Sequence, residues 1–343
     1  MKKKIFLINF LFVLLFLVIF ESFFGYWFKD NNFGFYMRKE RNRITEFNSK
    51  FNDIKYNYTY KRNFYGFRGN EFNPKDVKII FEGGSTGNQR FHPEELTIVG
   101  QLNASFKKDN LDIKIYNAST DGKSVRGYIN DFKHWFSKIP ELDPEYIIFY
   151  MGINDRYKIE SIKKGNYDHG KQWDYKIGNS RLEKVEDYIK NNSFVLDKLK
   201  RIKNQYFPRN QLMYNTNIPE LYENFKYVDY LEAKKKFAGS KLNIDNSFTQ
   251  DLEELKKIIN MNNFKPIFVT QVLFDGVKDE KLFRMNELLK EFSTTNKYKF
   301  IALDEIINMS QNDFFDKLHT TPQGSKKIAD KIYPLLKKNF FNN

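Results

Sequence analysis

The chain contains no cysteine, so it has neither a disulfide nor a thiolate ligand for a metal ion. Histidine is also scarce, and no two of the four histidines have a spacing such as HxxxH: His92, His134, His169 and His319. Helical zinc sites use ligands at such spacings. The sequence therefore predicts no metal site and no cofactor, and the missing cysteine is compatible with either side of a membrane.

Acidic residues are in the minority, with 43 Asp and Glu against 57 Lys and Arg, a formal net charge of +14. Such a charge would attract nucleic acid or an anionic membrane surface. The basic residues are scattered, however, and no nucleic-acid-binding motif accompanies them. Lys, Asn, Ile, Phe and Tyr are abundant together, as in chains from AT-rich genomes. We interpret the charge as compositional and predict no nucleic-acid partner.

One long apolar run lies at the amino terminus. Lysines at 2–4 precede an almost continuous apolar run over 5–20, and apolar residues resume after Glu21 as far as Phe28. A helix of about 24 residues is about 36 Å long, enough to cross a hydrocarbon core of about 30 Å. We predict a transmembrane anchor over residues 1–28, through which the chain contacts the membrane.

A cleaved signal peptide is the alternative interpretation of this run, because it too has a basic start and an apolar centre. The sequence ESFFG at 21–25 lacks the small-residue pattern of a cleavage site, so we favour an uncleaved anchor. The lysines favour an amino terminus inside, although four basic residues between 38 and 43 weaken that asymmetry. We expect a single-pass protein with its folded domain outside the cytoplasm, joined by a juxtamembrane segment, 29–75, without clear periodicity.

Beyond residue 75, short apolar runs alternate with helical patterns. The runs predict five strands, and the pattern predicts one final helix: 77–81, 113–116, 146–151, 266–272 and 300–303, then 322–338. Short apolar strands separated by helices are typical of an α/β fold, a doubly wound parallel sheet with helices on both faces. Ligands bind such sheets at the carboxyl ends of the strands.

The predicted domain, 76–343, contains more chain than this pattern needs. About 160 residues separate Asn154 from Asp316, yet only two strands and their helices are required there. We therefore predict a long helical insertion at about 157–250. Segments this long are usually functional lids or extra subdomains.

Two short sequences combine residue types that suit nucleophilic catalysis. Ser85 lies in GGSTG, directly after the strand predicted at 77–81, where small neighbours leave its hydroxyl open to a substrate carbonyl. His319 follows Asp316 by three residues, so the carboxylate can orient the imidazole, which can then take a proton from serine. Each sequence alone also has an interpretation without nucleophilic catalysis. The first would be a tight turn or a phosphate-binding loop, and the second would be a surface loop.

Two further sequences at strand ends offer hydrogen-bond donors. Asn154 lies in GIND, after the third predicted strand, and its amide can donate to an oxyanion when it is fixed there. Gly122 ends NASTDG, after the second predicted strand, and can turn its backbone N–H towards the same oxygen. Both sequences are also ordinary turn signals.

The order and spacing of these four sequences resemble the SGNH hydrolase superfamily, which includes the GDSL esterases and lipases. That superfamily is named for Ser, Gly, Asn and His in four blocks, and the resemblance covers residues 78–335 apart from the insertion. Block by block it assigns these positions: Ser85, Gly122, Asn154, and His319 with Asp316. It implies a flavodoxin-like, three-layer fold with a five-stranded parallel sheet.

The first block departs from the commoner family pattern. Gly-Asp-Ser is here Gly-Gly-Ser, so Gly84 replaces the aspartate before the serine. Glycine-rich first blocks resemble those of membrane-tethered members of the superfamily. The sequence GFRG at 66–69 resembles one that precedes the first block in such members, and the sequence alone assigns it no role.

The resemblance implies a serine esterase that works through an acyl-enzyme. His319, oriented by Asp316, would deprotonate Ser85, while the N–H groups of Ser85 and Gly122 and the Asn154 amide hold the oxyanion. The implied substrate is an O-acyl ester, foremost an acetyl ester, on an extracytoplasmic glycan or lipid. Two alternatives stay open: an O-acyltransferase on cell-envelope polysaccharide, and a non-catalytic glycan-binding or assembly protein that kept the fold.

Overall fold

The computed structural model describes residues 2–28, 37, 40–51, 53–156, 181–214, 225–240 and 246–341. The predicted insertion at about 157–250 and the predicted juxtamembrane segment lie partly outside these residues. The strands are β1 (Arg43–Phe51), β2 (Ile54–Arg62), β3 (Ile79–Gly83), β4 (Ile115–Asn117), β5 (Tyr146–Tyr150), β6 (Arg209–Tyr214), β7 (Lys265–Val269) and β8 (Lys299–Ile301). The helices are α1 (Lys2–Phe24), α2 (Ser85–Asn88), α3 (Ile98–Lys108), α4 (Val125–His134), α5 (Arg181–Asn192), α6 (Phe194–Tyr206), α7 (Tyr230–Phe237), α8 (Asn246–Asn262), α9 (Glu280–Thr295), α10 (Leu303–Ile306) and α11 (Pro322–Phe341).

Five parallel strands form the central sheet, in the order β4-β3-β5-β7-β8. Both β3 and β5 are buried along their whole length, as expected for strands covered on both faces. The predicted doubly wound α/β fold is therefore confirmed. The first strand ends two residues later than predicted, because Glu82 and Gly83 continue it and Glu82 finds a buried partner.

Helices cover both faces of this sheet and form the predicted three layers. On one face, α4, α8 and α9 pack against Ile80, Ile147 and Phe268. On the other face, α3 and α11 pack against Phe81 and Ile148. Neighbouring strand residues thus enter opposite cores, as the period-two geometry of a strand requires.

A second, three-stranded sheet lies outside the prediction, in the order β2-β1-β6. The sequence shows no clear periodicity over the predicted juxtamembrane segment, 29–75, yet its residues 43–62 form β1 and β2, which pair antiparallel. The third strand, β6, comes from the predicted insertion and runs parallel to β1. The buried face of β1 alternates Thr45, Phe47, Ser49 and Phe51. Polar residues at two of these buried positions hide the alternation from a hydrophobicity pattern.

The amino-terminal helix α1 carries the apolar run. The segment Lys3–Phe24 has a mean hydropathy of 2.6, and none of its most apolar stretch is buried against the rest of the protein. These properties suit a membrane span and equally a signal sequence. Near the end of this helix, the Glu21 carboxylate accepts hydrogen bonds from the Ser193 hydroxyl, at 2.6 Å, and from the amides of Phe194 and Val195, both at 2.9 Å. Glu21 therefore joins α1 to the first turn of α6.

Candidate active site

Ser85 begins the short helix α2 directly after β3. The strand brings it to the carboxyl end of the sheet, beside the segments that follow β4 and β5, because β3 lies between those strands. Its side chain is half-buried and lines a pocket of about 240 Å³. The same pocket is lined by Gly122, Asn154 and His319.

A hydrogen-bonded chain of side chains runs from Ser85 to Asp316. His319 Nε2 lies 2.8 Å from Ser85 Oγ, and His319 Nδ1 lies 2.7 Å from Asp316 Oδ2. The structure thus brings together three predicted residues, of which the first lies more than 200 positions from the other two. The His319 ring also stacks on Phe315, with ring centroids 5.6 Å apart and an interplanar angle of 13°. This arrangement holds the imidazole in one orientation.

The second oxygen of Asp316 is occupied by backbone donors. Asp316 Oδ1 accepts from the amides of Leu318 and His319, both at 2.7 Å. Burial opposes ionisation of this carboxyl, but the hydrogen bonds from the His319 ring and the two amides outweigh it, so the pKa of Asp316 lies below its ordinary value. Asp316 is therefore ionised near neutral pH and can stabilise positive charge on the imidazole.

Asn154 and Gly84 are packed against each other at the end of the sheet. The Asn154 amide donates to the backbone carbonyl of Lys123 at 2.9 Å, which fixes the side chain. A Cβ atom at Gly84 would lie only 2.0 Å from Asn154 Nδ2. The glycine that departs from the commoner Gly-Asp-Ser pattern is thus the residue that leaves space for the Asn154 amide.

Gly122 lies across the same pocket with a backbone that favours glycine. Its φ of +79° is in the left-handed region, where a side chain is strained. The preceding residue, Asp121, forms an ion pair of 3.0 Å with Arg90, and both line the pocket. This pair connects the segment after β4 to the segment after α2.

A buried ionic cluster beneath the pocket was not predicted from the sequence. Lys123 Nζ lies 2.5 Å from Glu82 Oε1 and also pairs with Asp131, and all three side chains are almost wholly buried. Burial raises the pKa of Glu82 and the Asp131 charge adds to that, although the Lys123 ammonium opposes both. Glu82 precedes the glycines of the first block and Lys123 follows Gly122. The only indication of this cluster in the sequence was that Glu82 and Lys123 lie next to the motifs.

Arg68 gives the GFRG sequence a structural role. Its guanidinium donates to the backbone carbonyls of Asn88, Gln89 and His92, the last two at 2.7 and 2.6 Å. It also pairs with Glu94 at 2.8 Å. The guanidinium therefore holds the chain that leaves α2, three to seven residues after Ser85.

Aromatic rings from the second sheet support the pocket wall. His92 is buried between Phe51 of β1, at 5.1 Å, and Phe315, at 6.1 Å. Phe47 contacts Phe91 edge-on at 5.6 Å. Burial, together with the charge of Arg68, lowers the pKa of His92 to about 3, so this ring is neutral. The hairpin that the sequence did not reveal thus forms the outer support of the site.

Metal-binding geometry is not found in the part of the chain that the structure describes. No group of three or more His, Asp or Glu side chains there has positions suited to a metal ion. Two pairs of polar residues in the pocket contact each other, Ser85 with His319 and Arg90 with Asp121.

The family model described as GDSL-like lipase/acylhydrolase matches residues 80–332, which is more than half of the chain. No curated protein matches this chain.

Similar solved structures include TesA, with 11% identity and a TM-score of 0.44 over 76% of this chain and 98% of that chain. A lipolytic G-D-S-L family protein from Veillonella parvula has 16% identity and a TM-score of 0.41 over 76% and 99% of the two chains. The esterase EstA from Pseudoalteromonas sp. has 12% identity and a TM-score of 0.42 over 77% and 99%. Given the extent of the family match, this chain belongs to the GDSL-like lipase/acylhydrolase family and is an SGNH-type esterase.

Proposed function

We propose that this esterase hydrolyses short O-acyl esters, foremost acetyl esters, on a glycan or lipid outside the cytoplasm, through an acyl-enzyme on Ser85. The observation that carries the proposal is the continuous hydrogen-bond path from Ser85 Oγ through the His319 ring to Asp316, with distances of 2.8 and 2.7 Å. Nucleophile and base at such separations can exchange a proton as the nucleophile attacks.

In the first half of the reaction, a neutral His319 carries its proton on Nδ1 and donates a hydrogen bond from this N–H to the ionised Asp316, which stays deprotonated. His319 Nε2 then accepts the Ser85 hydroxyl proton while Ser85 Oγ bonds to the ester carbonyl carbon. The ionised Asp316 stabilises the imidazolium that forms. When the tetrahedral intermediate collapses, His319 Nε2 returns the proton to the leaving alcohol oxygen and the acyl group stays on Ser85.

In the second half, water takes the place of the alcohol. His319 Nε2 accepts a proton from this water, whose oxygen attacks the acyl carbon, and the proton then returns to Ser85 Oγ as the acid leaves. In both halves the backbone N–H groups of Ser85 and Gly122 and the Asn154 amide would hold the oxyanion. Each such donor is worth about 2.7–4 kcal/mol of the barrier.

The size and walls of the pocket support a short acyl group. Its volume of about 240 Å³ is below the roughly 300–1,000 Å³ of most ligand pockets. Phe91 and Phe315 line it, and both rings contact other aromatic side chains that limit their movement. An acetyl group fits such a space better than a long acyl chain, while the open side leaves room for a larger alcohol.

Contacts of α1 support an uncleaved anchor. Glu21, Phe20 and Phe24 contact the first turn of α6, with both rings 5.7 Å from Phe194. Removal of α1 would expose this turn and leave its amides without their carboxylate partner. The lysines at 2–4 favour a cytoplasmic amino terminus, which places the esterase domain on the opposite side.

Hydrolysis by the full chain in detergent tests the proposal. We expect release of free acetate from an acetylated polysaccharide and from p-nitrophenyl acetate, and much slower turnover of p-nitrophenyl octanoate. Ser85→Ala and His319→Ala should each lower kcat by about 10⁴-fold or more, whereas His134→Ala, a matched change outside the pocket, should not. If Ser85→Ala retained a tenth of the activity, Ser85 could not be the nucleophile. Acetyl transfer to added glycan, without free acetate, would indicate the acyltransferase instead.

A further inference from the structure

A second cavity, of about 810 Å³, lies between β1 and the helices α5 and α6, and shares no lining residue with the pocket at Ser85. Two acidic residues, Glu40 and Asp197, line it against six basic ones: Arg41, Arg43, Lys190, Lys200, Lys203 and Arg209. The cavity is therefore strongly cationic. Its basic residues are concentrated in one place, unlike basic residues scattered over a surface.

Both acidic residues of the cavity already have partners. Asp197 lies 3.5 Å from Arg41, and Glu40 lies 3.3 Å from Arg43. By contrast, Lys203 and Arg209 have exposed side chains and no carboxylate at ion-pair distance within the described part of the chain. Their charges are available to an anionic ligand.

Apolar and neutral polar groups complete the lining. Leu196 and Leu199 of α6 line the cavity with 38% and 54% of their surfaces exposed. Thr45 lines it from β1, and its buried hydroxyl has no hydrogen-bond partner within the described residues. Cations beside exposed leucines suit a molecule that is anionic at one end and apolar at the other.

The near end of the cavity, at Leu196, lies next to the turn of α6 that the end of α1 contacts. Glu21 binds the amides of Phe194 and Val195, and Leu196 is the next residue of α6. Lys203 lies ten residues beyond Ser193, which is about 15 Å along a helix. The headgroup layer of a bilayer is about 5–8 Å thick on each side. If α1 spans the membrane with Glu21 at its interface, Leu196, about 4.5 Å along α6 from Ser193, therefore lies at the level of that layer, and Lys203 lies no more than about 15 Å from Ser193.

We propose that this cavity binds the phosphate-bearing headgroup of an anionic phospholipid from the membrane that α1 crosses. Lys203 and Arg209 bind the phosphate, and Leu196 and Leu199 contact the first carbons of the acyl chains. The site holds the second sheet, which supports the wall of the catalytic pocket, against the membrane surface. Binding of lipid is independent of ester hydrolysis, since no residue is shared.

Native mass spectrometry of the full chain, released from detergent micelles, tests this site. We expect phosphatidylglycerol to bind at least tenfold more tightly than phosphatidylcholine. The double variant Lys203→Glu/Arg209→Glu should lose that preference, and the neutral variant Lys203→Gln/Arg209→Gln should lose most of it. Lys107→Glu/Lys108→Glu, on α3, makes the same change in net charge outside the cavity and should keep the preference.

Three results would overturn the proposal. One is equal affinity of the unchanged chain for the two lipids, and another is equal loss in the α3 control, which would indicate attraction by net charge alone. The third is full displacement of phosphatidylglycerol by millimolar glycerol 1-phosphate, which would indicate a soluble phosphate ligand. Unchanged hydrolysis of p-nitrophenyl acetate and an unchanged unfolding temperature show that each variant is folded.

Discussion

Lys123 Nζ lies 2.5 Å from Glu82 Oε1, and neither side chain is accessible to solvent. The pair connects β3, which ends two residues before Ser85, to the segment that contains Gly122. The backbone carbonyl of Lys123 also accepts from the Asn154 amide at 2.9 Å. Lys123 thus contacts or adjoins residues of three of the four blocks. Its replacement should therefore disturb both the site and the stability of the fold.

Lys123→Met leaves the Glu82 and Asp131 carboxylates without their cation in a buried setting. Breaking a buried ion pair in this way costs about 3–5 kcal/mol, so we expect that loss in the free energy of unfolding from urea titrations. Lys133→Met removes a lysine whose ion pair with Glu254 is partly exposed, and should cost about 1 kcal/mol or less. Adding Glu82→Gln to Lys123→Met should restore part of the stability. A double variant less stable than Lys123→Met would contradict a charge-pairing role.

Gly84→Ala tests the contact between the first and third blocks. Its Cβ would meet Asn154 Nδ2 at 2.0 Å, so the amide must leave its position. We expect kcat to fall by about a hundred- to a thousand-fold, as for Asn154→Ala, because both remove one oxyanion donor. The double variant should be little worse than either single one.

Gly239→Ala is the matched control, since an added Cβ there meets nothing within 4 Å. It should leave kcat unchanged. Multiplicative losses in the Gly84→Ala/Asn154→Ala double variant would show that the two changes act independently, and that Gly84 does not act by leaving space for the Asn154 amide.

Arg68→Lys tests the contribution of the guanidinium fork. A lysine keeps the charge but cannot bind three carbonyls and Glu94 at once. We expect a loss of about 2–3 kcal/mol in stability and a tenfold or larger fall in kcat, with KM for p-nitrophenyl acetate nearly constant. Arg126→Lys, in a partly exposed ion-pair cluster, controls for the substitution itself. Equal kcat values for Arg68→Lys and the unchanged chain would rule out a positioning role.

Much of the fold could be predicted because strands buried on both faces are continuous apolar runs. The runs within β3 and β5 stand out for that reason, and four short motifs mark the strand ends where a ligand binds. Ser85, Asp316 and His319 were expected to lie together, and the structure places them at hydrogen-bonding distance. Their catalytic roles stay predictions until activity is measured.

The parts that the sequence did not reveal depend on contacts between distant segments. β1 pairs with β6, from residues more than 160 positions away, and polar residues occupy half of its buried face. Lys123 and Glu82 are charged, and charged residues are rarely buried unless they are paired. Neither the pairing of strands nor that of charges can be inferred from one sequence, since both require knowing which segments meet.

The neutral His92 makes stability depend on pH. Its pKa is about 3 in the folded chain, against about 6.5 when unfolded, so only the unfolded state takes up this proton between those values. Stability should fall by about 1.4 kcal/mol for each pH unit below 6.5 and be fully present above it. The His92→Phe variant lacks this loss of stability. When the pH falls from 7.5 to 5, its free energy of unfolding should therefore increase by about 2 kcal/mol relative to that of the unchanged chain.

Urea unfolding of both proteins at the two pH values measures that difference. His134→Phe, at the end of α4, controls for the loss of a histidine that is only half-buried. Parallel pH dependence in the His92→Phe variant and the unchanged chain would mean that His92 does not titrate as its burial implies.

The central claim is that Ser85 is the nucleophile activated by His319, and intact-mass analysis after treatment with a fluorophosphonate tests it most directly. We predict one adduct on the full chain, mapped to the peptide that contains Ser85, no adduct in Ser85→Ala, and labelling slowed at least a hundredfold in His319→Ala. An adduct that persists in Ser85→Ala, or labelling that is as fast without the imidazole, would contradict this claim.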